Sequence, residues 1–259
     1  MKRIAIVTGA SSGIGKVFAL SAREKVEFDE LWLIARREDR LKEIARELEA
    51  KTKVTAIPLD LSRPEAISEL KGRLEAEELT VSLLVNAAGF GKFQAVEDVP
   101  METADKMLDL NCKCLMDMCY ICLPYLTSGS KILNVASVAA FQPVPYQCEY
   151  AATKAFVLNF SRGLWKELRK KGITVTALCP YWTKTEFFNT AQTGSEQDVI
   201  HYFNAMYSPE DVVKRGWRDL LKGRSISTYG FVARFQIALV RLLPHRLVMW
   251  VWCKQQKIK

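Results

Sequence analysis

Apolar runs of strand length alternate along the chain with longer amphipathic stretches. "RIAIVT" near the N-terminus predicts a first strand, and a helix is expected from about Ile14. "LWLIA" predicts a second strand, "RREDRLKEIARELEA" a helix, and "KVTAIPLD" a third strand leading to a helix near residues 65 to 77. Then come "SLLVNAAG", a long helix across roughly 103 to 126, "KILNVAS", a helix across roughly 149 to 170, and "ITVTALCP". The strands are unbroken runs of Val, Ile, Leu and Ala, as in a parallel sheet covered on both faces. The expected fold is therefore α/β, a doubly wound parallel sheet of Rossmann type over residues 1–229. Residues 230–259 are expected to extend this single domain as two helices meeting near Pro244. In such a sheet ligands sit beyond the carboxyl ends of the strands.

Composition changes little. A chain of 259 residues, 49% hydrophobic and 25% charged, can bury one α/β core. No signal-peptide apolar region develops after the basic start, and seven cysteines fit a reducing cytoplasm better than a disulfide framework. Four of them fall in "NCKCLMDMCYIC". On a continuous helix Cys112 and Cys114 point apart and no histidine is near, so Cys119 and Cys122 are expected to be small buried hydrophobes, and no metal site is expected.

Charge is more informative. The net charge is +8, and after Asp219 there is no acidic residue, while Lys222, Arg224, Arg234, Arg241, Arg246, Lys254, Lys257 and Lys259 carry that whole excess. A basic, apolar tail points to an anionic partner. Interruptions by Arg234, Arg241, Pro244, His245 and Arg246 argue against a spanning helix. Two readings remain: a peripheral membrane contact, suited to Trp250 and Trp252, or packing against the domain or a second subunit. Nucleic-acid binding would account for the charge alone and is not expected.

Candidate chemistry clusters at the predicted strand ends. "TGASSGIG" places Gly9, Gly13 and Gly15 between the first strand and the first helix, where glycines let the backbone approach a pyrophosphate and free amides attract its charge. After the second strand, where a carboxylate would hold the ribose 2′-OH of NAD, the chain has Arg36 and Arg37. Guanidinium groups suit a 2′-phosphate, so the cofactor is expected to be NADP(H). The alternative, an idle arginine pair at a helix start, runs against the helix dipole. "YAATK" puts Tyr150 and Lys154 one helical turn apart on one face. An ammonium beside a phenol favours the phenolate and is expected to draw the tyrosine pKa down from about 10.

Together with "LDLS", "NAAG", Asn111, Ser137 and "PYWTKT", these motifs make the sequence resemble the short-chain dehydrogenase/reductase family over nearly its whole length. The resemblance implies a catalytic set of Asn111, Ser137, Tyr150 and Lys154: Tyr150 exchanges the proton, Ser137 holds the substrate oxygen, Lys154 grips the nicotinamide ribose and lowers the phenol pKa, and Asn111 marks a helix distortion that orders a relay water. It implies a cofactor contact by Gly9, Ser11, Ser12, Gly13, Ile14, Gly15, Arg36, Arg37, Asp60, Leu61, Asn86, Tyr150, Lys154, Thr183 and Thr185. Ala87 stands where the family usually has a second asparagine, and Tyr181 where a glycine usually follows Pro180.

Phe90, Phe141, Tyr146, Trp182 and Phe187 are expected around the substrate, with Phe93, Phe188, Tyr202 and Phe203 nearby and a variable lid over about 183 to 207. Such walls suit a lipophilic ketone, a 3-oxoacyl chain or a steroid. The resulting expectation is an NADP-dependent oxidoreductase interconverting that ketone and its alcohol, a homo-oligomer by family habit. The rival is a non-catalytic regulator that keeps the fold for nucleotide sensing.

Overall fold

Apolar runs make strands here because the central strands of the sheet are buried on both faces. In the computed structural model, which describes residues 1–192 and 199–258, β1 (Lys2–Thr8), β2 (Glu30–Ala35), β3 (Lys53–Pro58), β4 (Leu79–Asn86), β5 (Leu126–Val135), β6 (Thr174–Leu178) and β7 (Ile226–Ser227) form one sheet. The order is β3-β2-β1-β4-β5-β6-β7 and every pairing is parallel. Every residue of β2 is buried.

Helices cover the two faces. On one, Phe18 and Ala19 of α1 (Gly13–Ser21), Leu41 and Ile44 of α2 (Glu38–Leu48) and Trp217 of α8 (Pro209–Leu221) pack on Val7, Leu33 and Val85. On the other, Leu70 and Leu74 of α3 (Ala66–Glu75) pack on Ile6, Ile34 and Leu84 with Met118 of α5 (Leu115–Cys122) and Leu168 of α6 (Cys148–Leu168). The chain winds outward from β1 to β3 and then returns to β4 on the other side of β1. That reversal opens a crevice at the carboxyl ends of β1 and β4.

The helix expected across 103 to 126 is not uniform. α4 (Met101–Leu108) runs into a π-helical stretch at Asp109–Cys114 before α5 resumes. Cys112, Cys114, Cys119 and Cys122 are buried and free, and burial pushes the Cys119 thiol up to about 12, so it is an apolar packing group.

A short α7 (Phe187–Ala191) follows β6, and the tail forms α9 (Phe231–Val240) and α10 (His245–Gln256), with Pro244 as the extended residue between them. Both lie on the domain. Ala233 and Ile237 pack on Val138, with Phe141 and Tyr181 alongside, while Trp252 joins Phe93 and Val144, and its indole donates to the Pro145 carbonyl at 3.0 Å. No helix among the described residues is long and apolar enough to cross a membrane.

Candidate active site

The crevice is a cavity of about 700 Å³ that runs from the glycine turn to α10. At one end, Gly9 takes φ +65, and a side chain on Gly15 would collide with the Gly9 carbonyl. α1 starts at once, and its extended N-cap Ser12 makes no side-chain cap, so the first-turn amides keep no side-chain acceptor from the cap. Ser11, Ser12, Gly13, Ile14 and Gly15 all line the cavity, a cradle that fits a pyrophosphate.

Arg36, Arg37, Asp60, Leu61, Thr183 and Thr185 also line it. Their pairing adds something not visible in the sequence. Arg37 donates to Ser11 Oγ at 2.9 Å and to Glu186 Oε2 at 2.7 Å, and Arg40 donates to Glu186 Oε1 at 2.5 Å. These bonds hold the Glu186 carboxyl below its usual range. Burial works against the Asp60 charge, yet bonds from Ser62 and the fields of Arg36 and Arg63 keep that carboxyl low as well. Asn86, expected at the adenosine ribose, is a correction. It is buried, does not line the cavity, and donates to Asn134 Oδ1 at 2.9 Å, because the last residue of β4 turns its side chain into the sheet core.

At the floor of the cavity stand Ser137, Tyr150 and Lys154. Ser137 follows β5 and accepts from the Ala139 amide at 3.1 Å; Tyr150 and Lys154 occupy the first turns of α6. The Lys154 ammonium lies 5.7 Å from the Tyr150 ring centroid and donates to the Val135 carbonyl at 2.8 Å. The expected lowering of the phenol pKa does not hold in the chain by itself. Burial pushes Tyr150 up to about 12, with a Ser137 hydrogen bond pulling the other way, and burial presses Lys154 down to about 8. Desolvation opposes the charged form of each group and is the largest cause of both shifts.

Asn111 sits within the π-helical stretch, so the helix distortion is present at that residue. Its side chain does not line the cavity. It accepts from the Phe90 amide at 3.1 Å and donates to the Phe90 carbonyl at 2.8 Å and to Thr153 Oγ1 at 3.1 Å, fastening the loop after β4 to α6.

Three expected substrate residues line the cavity: Phe90, Trp182 and Phe187, with Phe187 5.3 Å from Tyr150 between ring centroids. Two do not. Phe141 ends a 3₁₀ turn that directs it under α9, where Arg241 stacks on its ring at 5.1 Å. Tyr146 takes φ +64 and packs behind the wall with Val144 and Ala151. Of the neighbours, Phe93 and Phe188 line the cavity, Phe203 packs edge-on to Trp182, and Tyr202 is exposed. Residues 193–198 of the expected lid lie outside the described residues.

Several lining residues were not anticipated. Gln236 and Trp252 come from the tail helices, which therefore complete the wall. Gln147 lines the cavity three residues before Tyr150, and Gly91 packs against Tyr150 itself. Sequence gave no signal for Gln236 or Gln147, whereas the second glycine in "AAGFG" was a clue to close packing.

A family model described as short chain dehydrogenase matches residues 3–196. Sulfoacetaldehyde reductase 2 of Chromohalobacter salexigens is 33% identical over 222 residues, covering 83% of this chain and 86% of that protein. The very-long-chain 3-oxoacyl-CoA reductase of Anas platyrhynchos is 31% identical over 258 residues, covering 96% of this chain and 74% of that protein. Among solved structures, a short-chain dehydrogenase from Sphingobium yanoikuyae in complex with NADPH aligns with a TM-score of 0.77 at 25% identity, over 94% of this chain and 96% of the other.

Proposed function

The chain belongs to the short-chain dehydrogenase family of oxidoreductases, and we propose that it is an NADP-dependent reductase of lipophilic ketones, also able to run the reverse alcohol oxidation. The observation that carries this reading is the meeting of Ser137, Tyr150 and Lys154 in the same cavity as the glycine turn. Ser11, Ser12, Gly13, Ile14 and Gly15 would hold NADPH along that turn, and the cofactor would supply the hydride. Tyr150 donates the proton to the developing alkoxide, Ser137 fixes the oxygen by a hydroxyl hydrogen bond, and the Lys154 charge offsets negative charge on the phenol. Aromatic walls exclude water and favour an apolar substrate. A regulator without activity leaves this convergence of groups unexplained.

NADP(H) is favoured over NAD by Arg36 and Arg37 at the end of β2, and the NADPH complex of the Sphingobium relative supports it. The 3-oxoacyl reading draws on the Anas relative's name. Tyr150→Phe should keep NADPH affinity and lose ketone-dependent NADPH oxidation by at least a hundredfold. Turnover at the native rate in that variant would remove the mechanism.

The reading extends to a lipid surface. The inner faces of α9 and α10 are buried, but Phe231, Phe235, Leu239, Leu242, Leu247 and Trp250 remain exposed. Arg234, Arg241, Arg246 and Lys254 lie among them, and the acid-free segment suits anionic headgroups. A second copy, the occupant expected from family habit, would bring like charges together across an isologous contact.

A further inference from the structure

Gln147 is the residue on which the substrate class turns. It is 2% exposed, it lines the catalytic cavity, and its Nε2 has no hydrogen-bond partner among the described residues. A buried amide donor left unpaired is costly, and native structures seldom keep one without a use. The helix does not need it, because the Gln147 side chain makes no cap; its backbone carbonyl, accepting from the Ala151 amide at 2.8 Å, starts α6 whatever the side chain is.

Its setting is built with some strain. The preceding residue, Tyr146, is a non-glycine in the left-handed region at φ +64, a conformation that clusters at ligand sites because the surrounding packing must hold it. The turn closes by the Gln147 amide donating to the Val144 carbonyl at 3.1 Å. Trp252 braces the next peptide through the Pro145 carbonyl. Val144 and Trp252 line the cavity beside Gln147, so the donor stands in an apolar wall.

We propose that Gln147 Nε2 donates a hydrogen bond to a second, uncharged carbonyl oxygen of the substrate, and that the substrate is therefore a 3-oxoacyl thioester rather than a steroid or other monoketone. A neutral amide in an apolar wall suits a neutral acceptor, since a carboxylate would be left without a countercharge there. Gln147, the N-cap of α6, and Tyr150, its third residue, are three positions apart, a rise of about 4.5 Å between their backbone positions. That is the scale between a ketone oxygen and a carbonyl two carbons away, and it is too short for oxygens at opposite ends of a steroid.

This inference rests on the reductase reading, and the test separates the two. NADPH oxidation by the full chain is measured with a 3-oxoacyl N-acetylcysteamine thioester, a 2-alkanone of equal chain length and a 17-ketosteroid. The native chain should prefer the thioester. Gln147→Leu should lower the ratio of kcat/KM for thioester over alkanone at least tenfold, chiefly through KM, and Gln147→Asn should restore part of it. NADPH titration of the variants confirms the folded cradle. An unchanged ratio overturns the inference while leaving the reductase reading intact, as does a native preference for the steroid. A native chain inactive on all three removes the reductase reading and this inference with it.

Discussion

Arg37 and Glu186 are joined by a 2.7 Å ion pair that spans 149 residues of sequence. It links the end of β2, where the adenosine 2′-phosphate is expected, to the residue immediately before α7. Phe187, the first residue of α7, packs on Tyr150. A phosphate arriving at Arg37 must compete with the Glu186 carboxylate, which Arg40 also holds. The pair is exposed, so its strength is modest, in the range of about 0.2–1 kcal/mol for such contacts. Glu186→Gln should therefore tighten NADPH binding by roughly two- to fivefold with little change for NADH, read by fluorescence titration. Weaker NADPH binding in that variant would show that Glu186 supports the site instead of competing for it.

Gly91 leaves room for the catalytic tyrosine. A β-carbon there would fall 2.7 Å from Tyr150 Cδ2 and 2.9 Å from Phe187 Cζ, closer than real side chains approach. Both neighbours are rings packed in the cavity wall, and neither has a flexible end to yield. Gly91→Ala is expected to displace Tyr150 and lower kcat by about tenfold to a hundredfold, since small misplacements of reacting groups are expensive. NADPH affinity should change far less. Native kcat in this variant would mean that the loop moves aside freely.

Lys154 should cost the fold stability. Burial holds its folded pKa near 8 against an ordinary 10.5. Below pH 8 the amine is charged in both states and the folded chain bears the full desolvation cost. Between pH 8 and 10.5 the unfolded chain binds the extra proton, so this destabilisation fades as pH rises and is gone above 10.5. The shift corresponds to about 3 kcal/mol at most, and removing the lysine also forfeits its bond to the Val135 carbonyl. Lys154→Met should thus gain on the order of 1 kcal/mol at pH 7 while losing activity. Urea midpoints from pH 6 to 10 check both the sign and the narrowing of the difference above pH 8. A variant less stable at every pH would contradict the desolvation argument.

What could be read in advance followed physical locality. The longer strands announce themselves because burial on both faces of the central ones demands apolar runs, with β3 at the edge only half-buried, and the glycine turn because its backbone admits no side chain at Gly15. β7 escaped because two residues, Ile226 and Ser227, carry no period. Side-chain direction escaped where tertiary packing decides it. Phe141 turned under a tail helix some 90 residues later, Tyr146 adopted a backbone that its residue type disfavours, and Asn86 chose Asn134 over the cavity. The expected depression of the Tyr150 pKa failed for the same reason: spacing reveals the ammonium but not the depth of burial that opposes it.

The tail presents two unlike surfaces, and this decides how a lipid contact should be tested. Deleting residues 230–259 would remove Trp252 and Gln236 from the cavity wall and so confound binding with activity. The outward face can be altered alone. Phe231, Phe235 and Leu239 recur every fourth residue along α9, opposite the buried Ala233, Ile237 and Val240, and Phe231 is 73% exposed. Replacing Phe231 and Phe235 with Ser takes two aromatic rings from that ridge and leaves the buried face untouched. If the ridge enters an anionic bilayer, the double variant should lose most of its flotation with phosphatidylserine-containing vesicles, and raised salt should weaken the native interaction because Arg234, Arg241, Arg246 and Lys254 supply its electrostatic part. Reduction of a water-soluble ketone should stay near the native rate. Should both proteins float equally, or should the substitutions instead split a dimer in sedimentation, the ridge belongs to another surface and a second copy becomes its occupant.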